Sequence, residues 1–175
     1  MMVGYRQKNR EGTLDSANLA AGVDAMLDGR FDASNHYYPL RVQYEDTDAG
    51  GIVYHAQYLA FAERARSAWL RCLDIDQSAM LADNGLGFVV RRIEVDFHLP
   101  AGLGDILDVE TGLLRLGGVS LKLQQKIINR ENRHILARLV VDIGFVELAD
   151  GARPTICRLP AAVKAKFSDL ALSDG

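Results

Sequence analysis

The sequence predicts an α+β domain in which an antiparallel β-sheet wraps around one long helix. Three observations lead there. Tyr58, Phe61, Ala65, Trp69 and Cys72 recur every three or four positions, a stripe that an α-helix turns to one side. From Phe88 the period changes to two: Ile93, Val95 and Phe97 alternate with Arg92, Glu94, Asp96 and His98, as in a half-buried strand. Three further strand-like runs follow, separated by Gly117-Gly118 and by Glu131-Asn132-Arg133, spacers short enough for hairpins. One long helix before four successive strands gives the α+β class.

Taken in order, residues 1–12 are polar. Leu19, Val23, Met26 and Leu27 then form a short helical stripe, with Ser16 in the N-cap position and Gly29 just past the end. Residues 30–36 read as a linker, which divides the chain into an N-terminal extension over 1–35, a compact domain over 36–160 and a tail over 161–175. Tyr38, Leu40, Val42 and Tyr44 alternate as a first strand, and Pro39 suits an edge or a strand end. On the long helix Leu59, Leu70 and Leu73 flank the main stripe, so more than one side is expected to be buried. Asp76 to Asn84 predicts a second helix closed by Gly85 in a left-handed cap. After the strands, "CRLPAAVKAKFSDLAL" predicts a short surface helix beyond Pro160.

A chain of 175 residues is the size of one domain with its own core. Its 49% hydrophobic and 25% charged composition is that of a globular protein. The net charge of −3, without a Lys/Arg block, gives no footprint for nucleic acid. Cys72 and Cys157 form no metal-binding or CxxC spacing, and are expected as buried thiols in a reducing compartment. The N-terminus has no apolar signal core and no run of 18 apolar residues occurs, so a cytoplasmic protein without a membrane span is expected.

The run "EDTDAGGIVYHAQYLAFAERARSAWL", residues 45–70, carries the chemistry. A calcium loop is excluded by count: with Asp46 first, Gly50 and Gln57 occupy the fifth and twelfth positions, which need oxygen ligands. No Walker lysine or GxGxxG is present. What remains is acyl chemistry at a helix start. The first turn of a helix has N–H groups without internal partners and a partial positive charge, which suits a carbonyl oxygen becoming negative. Residues Val53 to Ala56 fall where those donors belong. Gly50 and Gly51 allow a sharp turn and close approach of a substrate, while Asp48 offers an ionised carboxylate as base or nucleophile.

This run, together with "GFVVRRIEVDFHLPAGLGDILDVET" and "RLGGVSLKLQQKI", resembles the 4-hydroxybenzoyl-CoA thioesterase family of hotdog-fold acyl-CoA thioesterases, and within it the bacterial Tol-Pal-associated branch. The likeness runs from Tyr38 to Pro160. It implies a hotdog fold and hydrolysis of an acyl-CoA to free acid and CoA without a cofactor or metal. Asp48 is then the catalytic carboxylate, the backbone N–H at Tyr54 polarises the thioester carbonyl, and His55 lies in the pocket. Tyr44, Gly51 and Gly87 fall at substrate-binding positions. The resemblance also implies active sites formed between subunits of a homodimer or homotetramer, and an acyl-carrier protein is an alternative partner to free acyl-CoA. The aromatic-CoA branch carries basic residues where this chain has Gly117-Gly118, so those phosphate contacts do not carry over.

Other polar residues take blander readings. Asp46 is expected to form the turn, Glu45 to end a strand in solvent, and Glu63 to pair with a neighbouring arginine. His36, His98 and His134 show no metal spacing. A non-catalytic acyl-binding scaffold is the competing function. A hotdog dehydratase would need a histidine further along the helix, which is absent.

Overall fold

The computed structural model describes residues 27–148, 153–168 and 170. Its elements are β1 (Arg30–Asp32), β2 (Asn35–Arg41), α1 (His55–Cys72), α2 (Gln77–Asn84), β3 (Leu86–Phe97), β4 (Ile106–Leu116), β5 (Ser120–Asn129), β6 (Ile135–Glu147), β7 (Thr155–Ile156) and α3 (Ala161–Ser168). The strands form one antiparallel sheet in the order β1-β2-β4-β5-β6-β3, with β7 joined to the end of β6. The α+β class is borne out. Strand β3 does not neighbour β4, which follows it in sequence: it lies across the sheet beside β6, leaving the segment after it free to return along α1.

Helix α1 is the centre of the core. Tyr58, Phe61, Ala65 and Trp69 are buried as the stripe predicted, against Leu107, Val109, Leu123, Leu139 and Val141 of the sheet. Each large side chain buried there contributes about 1.5–3 kcal/mol, and the fully buried Ala62, Ala65 and Ala68 let the sheet come close. Leu59 and Cys72 depart from the expectation and are exposed: Leu59 faces away from the sheet and Cys72 belongs to the last turn. Both cysteines are free, and Cys157 is only half-buried. Asp76 caps α2 by accepting from the Ser78 and Ala79 N–H groups, and Gly85 closes it at φ +63°. The tail helix α3 is more than a surface helix, because Phe167 is fully buried and stacks on Trp69 at 5.3 Å.

The helix expected between Ser16 and Gly29 lies outside the described residues except for Leu27 and Asp28, which are helical and followed by Gly29 at φ +81°. A Cβ on Gly29 would come within 2.1 Å of the Tyr37 carbonyl oxygen. The linker expected over 30–36 is instead a hairpin: β1 pairs with β2 through Arg30–Tyr37, Phe31–His36 and Asp32–Asn35. The first strand also stops at Arg41, before Tyr44. Pro39 lies beyond the reach of β1 and pairs only with Asp108 of β4, on the sheet edge.

His36 is fully buried in β2, and its Nε2 lies 2.7 Å from the Asp28 carbonyl oxygen. Nδ1 has no partner among the described residues. Burial disfavours the imidazolium and lowers the His36 pKa, outweighing the bond to the Asp28 carbonyl, which favours the charged ring. Because the native pKa lies below that of the unfolded chain, the unfolded state takes up the proton first on acidification. Stability is therefore full above the ordinary histidine range and falls as pH drops through about 6.5. Denaturant unfolding between pH 7.5 and 5.5 should show that loss in the wild type and a flatter profile in His36→Gln; equal slopes would remove His36 as its source.

Candidate active site

The loop between β2 and α1 builds the site. Gln43 to Asp46 close a tight turn in which the Asp46 carboxylate accepts the Gln43 N–H at 2.8 Å. Arg64 of α1 stands 4.0 Å from the other Asp46 oxygen. Asp46 is buried, so the turn role expected of it comes with burial. Beyond it the chain folds back on itself: Thr47 bridges Val53, and the Asp48 N–H donates to the Ile52 carbonyl at 2.9 Å.

Asp48 sits at the tip of this small hairpin, exposed. Its carbonyl accepts the Gly51 N–H at 3.0 Å and its Oδ1 accepts the Gly50 N–H at 2.7 Å, the pattern of an aspartate opening a β-turn. Each glycine has a separate reason to be there. Gly51 adopts φ +77°, where a side chain is disfavoured. A Cβ on Gly50 would stand 3.0 Å from Asp48 Oδ1, against the carboxylate that its own N–H holds. Asp48 Oδ2 has no hydrogen-bond partner among the described residues.

The start of α1 is pinned on two sides. The Val53 N–H donates to the Ala101 carbonyl and the Tyr54 N–H to the Asp46 carbonyl, both at 2.9 Å. Tyr54 is the N-cap residue, its side chain makes no capping bond, and no acidic residue lies in the first turn. Of the stretch from Val53 to Ala56 expected to hold the donors, the Val53 and Tyr54 N–H groups are thus occupied, and those without an acceptor among the described residues belong to His55 and Ala56.

A cleft of about 270 Å³ opens beside this turn, lined by Ile52, Val53, His55, Tyr58 and the segment from Phe97 to Pro100. The Ala101 N–H donates to the Tyr58 hydroxyl at 3.0 Å, and Tyr58 packs edge-on against Phe97 at 5.4 Å. Burial raises the Tyr58 pKa, keeping the phenol neutral. The ring of His55 lies against Tyr54 at 4.4 Å. The walls are mainly apolar, which suits an acyl group. Sequence reasoning missed the wall from Phe97 to Pro100. Its only signal was the proline that ended the strand pattern.

The expected residues are only partly brought together. Asp48, Gly51, Tyr54 and His55 share the hairpin and helix start. Tyr44 is in the preceding turn and 82% exposed. Gly87 pairs with Val146 at the far end of β3, roughly 33 Å along the strand from Phe97 at the cleft. Glu63 pairs with Arg66, as expected of it. Among the described residues no cluster of metal-ligating side chains occurs.

Comparison with known proteins agrees with this architecture. The acyl-CoA thioesterase YbgC of Haemophilus influenzae is 39% identical over 145 residues, covering 83% of this chain and 99% of that protein. The acyl-CoA thioester hydrolase YbgC of Escherichia coli O6:H1 is 48% identical over 95 residues, or 54% of this chain and 70% of its own. The solved structure of a 4-hydroxybenzoyl CoA thioesterase mutant complexed with 4-hydroxybenzoyl CoA matches with a TM-score of 0.72 at 18% identity, covering 78% of this chain and 100% of the other, a likeness of fold. A family model described as the thioesterase-like superfamily matches residues 42–167. The chain belongs to that superfamily and has its hotdog fold, an antiparallel sheet around one central helix.

Proposed function

We propose that this protein hydrolyses an acyl-CoA thioester to a free carboxylic acid and CoA. The observation that carries the reading is the pairing of an exposed aspartate, one oxygen fixed and the other open, with two unpaired N–H groups at the start of α1 beside an apolar cleft. The names of the relatives support it. The acyl group lies in the cleft and its thioester oxygen faces the His55 and Ala56 N–H groups, which stabilise the negative charge that develops on attack. Asp48 takes the proton from the attacking water, or adds to the carbonyl itself to give an anhydride that water then opens. In either route the C–S bond breaks, the sulfur leaves as thiolate and is protonated, and no cofactor is needed.

The separation of Gly87 from Asp48 supports assembly. Strand β3 is an open edge of twelve residues, with Val90 and Phe97 exposed on it, and such edges are covered in stable proteins. Antiparallel pairing of two copies along β3 brings Gly87 of a second copy toward the Phe97 end of the first, so each cleft is completed by both chains. A homodimer, or a homotetramer built from two, satisfies this. We place the enzyme in the cytoplasm, in the Tol-Pal-associated branch, with acyl-CoA or an acyl-carrier protein as the thiol carrier. Among the described residues no helix is long and apolar enough to cross a membrane.

A second reading has one observation in its favour: the bond from Gly50 to Asp48 is what a purely structural aspartate makes, and a non-catalytic acyl-binding scaffold would need no more. Asp48→Asn separates the two. Asparagine can still accept the Gly50 N–H, so the turn survives while the base and nucleophile are lost. Thioester hydrolysis should fall by at least roughly 10²-fold, with folding unchanged; near-normal turnover would favour the scaffold. Asp46→Ala should instead cost stability, about 0.5–1.5 kcal/mol from the lost bond to the Gln43 N–H, with a smaller loss of rate. His55→Ala should give an intermediate loss of turnover. Sedimentation at micromolar concentration should show a dimer or tetramer, and a folded monomer would rule out shared sites.

A further inference from the structure

Tyr58 borders the cleft beside α1, and its hydroxyl group is only half satisfied. It follows His55 by three residues, so the two side chains share one face of α1, and both line the cleft of about 270 Å³. The ring is 3% exposed, edge-on to Phe97 at 5.4 Å and tilted against Phe61 at 6.1 Å. Those contacts ask only for an aromatic ring. The oxygen accepts the Ala101 N–H at 3.0 Å. An amide nitrogen can only donate, so this bond uses a lone pair of the hydroxyl and leaves its proton uncommitted. No acceptor for that proton occurs among the described residues. An enclosed O–H without an acceptor is costly, and the bond to Ala101 explains the oxygen but not the hydrogen.

The hydroxyl is also held beside the helix entry. Ala101, whose N–H donates to it, accepts the Val53 N–H through its carbonyl at 2.9 Å, so the phenol oxygen and the start of α1 are tied to the same residue. Helical side chains lean toward the N-terminus, which carries the Tyr58 ring back toward the turn that holds the open His55 and Ala56 N–H groups. Burial raises the Tyr58 pKa, so the phenol keeps its proton at neutral pH. An acyl group offers that proton few partners. Its methylenes accept nothing, and the acceptor common to every acyl thioester is the carbonyl oxygen. A donor to the attacking water would blunt its nucleophilicity, whereas a donor to the carbonyl oxygen binds more strongly as negative charge develops there.

We propose that Tyr58 is a further catalytic residue, its hydroxyl donating to the thioester oxygen beside the His55 and Ala56 N–H groups, an assignment that rests on the acyl-CoA hydrolase reading. The proton stays on the phenol throughout, so the bonds made and broken are those of the hydrolysis itself. Tyr58→Phe removes the hydroxyl and keeps the ring, and kcat for a saturated acyl-CoA should fall roughly 10²-fold with KM little changed. That variant also frees the Ala101 N–H. Fluorinated tyrosines of graded acidity at position 58 keep both bonds and alter only donor strength, and they decide the matter if Tyr58→Phe fails to fold. Their kcat, measured where each phenol is neutral, should rise with acidity, a trend that a merely structural tyrosine does not produce. Binding is read by calorimetry with two unreactive CoA analogues: one has a methylene in place of the sulfur and keeps the carbonyl, the other is an S-alkyl thioether and lacks it. Tyr58→Phe should raise Kd at least about threefold for the first and leave the second unchanged. Unaltered kcat in a folded Tyr58→Phe, or a flat fluorotyrosine series, overturns the proposal. If the wild type hydrolyses no thioester, the hydrolase reading falls and the catalytic role falls with it; a Kd that still depends on the hydroxyl then makes Tyr58 a carbonyl contact of an acyl-binding protein.

Discussion

The proposed hydrolysis depends first on the position of the first turn of α1, and two backbone bonds set it. Val53 donates to Ala101 and Tyr54 to Asp46, both at 2.9 Å, so the segment after β3 and the loop after β2 grip the helix entry from either side. With those donors spent, His55 and Ala56 become the first N–H groups free to meet a ligand. The Tyr58 hydroxyl accepts the Ala101 N–H one turn further in, tying the cleft wall to the same helix. A helix entry held by backbone on both flanks keeps its donors oriented without a side-chain cap, which would have occupied one of them.

Further along, the same helix is fixed by a buried polar clamp. Arg66, 5% exposed, donates to Gln125 Oε1 at 2.7 Å and pairs with Glu63. Gln125, fully buried on β5, donates in turn to the Ala62 carbonyl at 2.9 Å and to Thr111 Oγ1 at 3.0 Å. A buried guanidinium without partners would cost several kcal/mol; here it is satisfied only at one position of the helix along the sheet. Apolar packing of Ala62, Ala65 and Phe61 tolerates sliding better than this network does. The clamp therefore sets the register of α1, and the register places its first turn.

Much of this was legible because it is local. The stripe from Tyr58 to Trp69, the strands on either side of Gly117-Gly118 and the caps of α2 each follow from residues within a few positions of one another. What failed depends on distant partners. The β1–β2 hairpin looked like a linker because polar Asn35 and His36 are held there by pairing with β1 and β4, not by an alternating apolar pattern. Tyr44 looked like a strand residue until the Asp46 carboxylate captured the Gln43 N–H. Arg66 gave no sign of burial, since Gln125 lies on a strand far along the chain. In the site, Asp48 and its glycines could be read from their spacing, whereas the step from Tyr54 to His55 as the open donor turns on one carbonyl, that of Asp46.

Under the proposed hydrolysis, a structural and a chemical role for Asp48 need not compete. The turn uses its Oδ1 and its carbonyl, leaving Oδ2 to act. A carboxylate tethered through one oxygen loses rotational freedom before a substrate arrives, so less entropy is lost in reaching the reactive geometry. Gly50, by lacking a Cβ, leaves the tethered oxygen unobstructed. The hydrogen bonds that identify Asp48 as a turn residue are thus the ones that would aim it, and in the proposed reaction aspartate, two glycines and a helix start in this order would serve both the turn and the chemistry with the same few atoms.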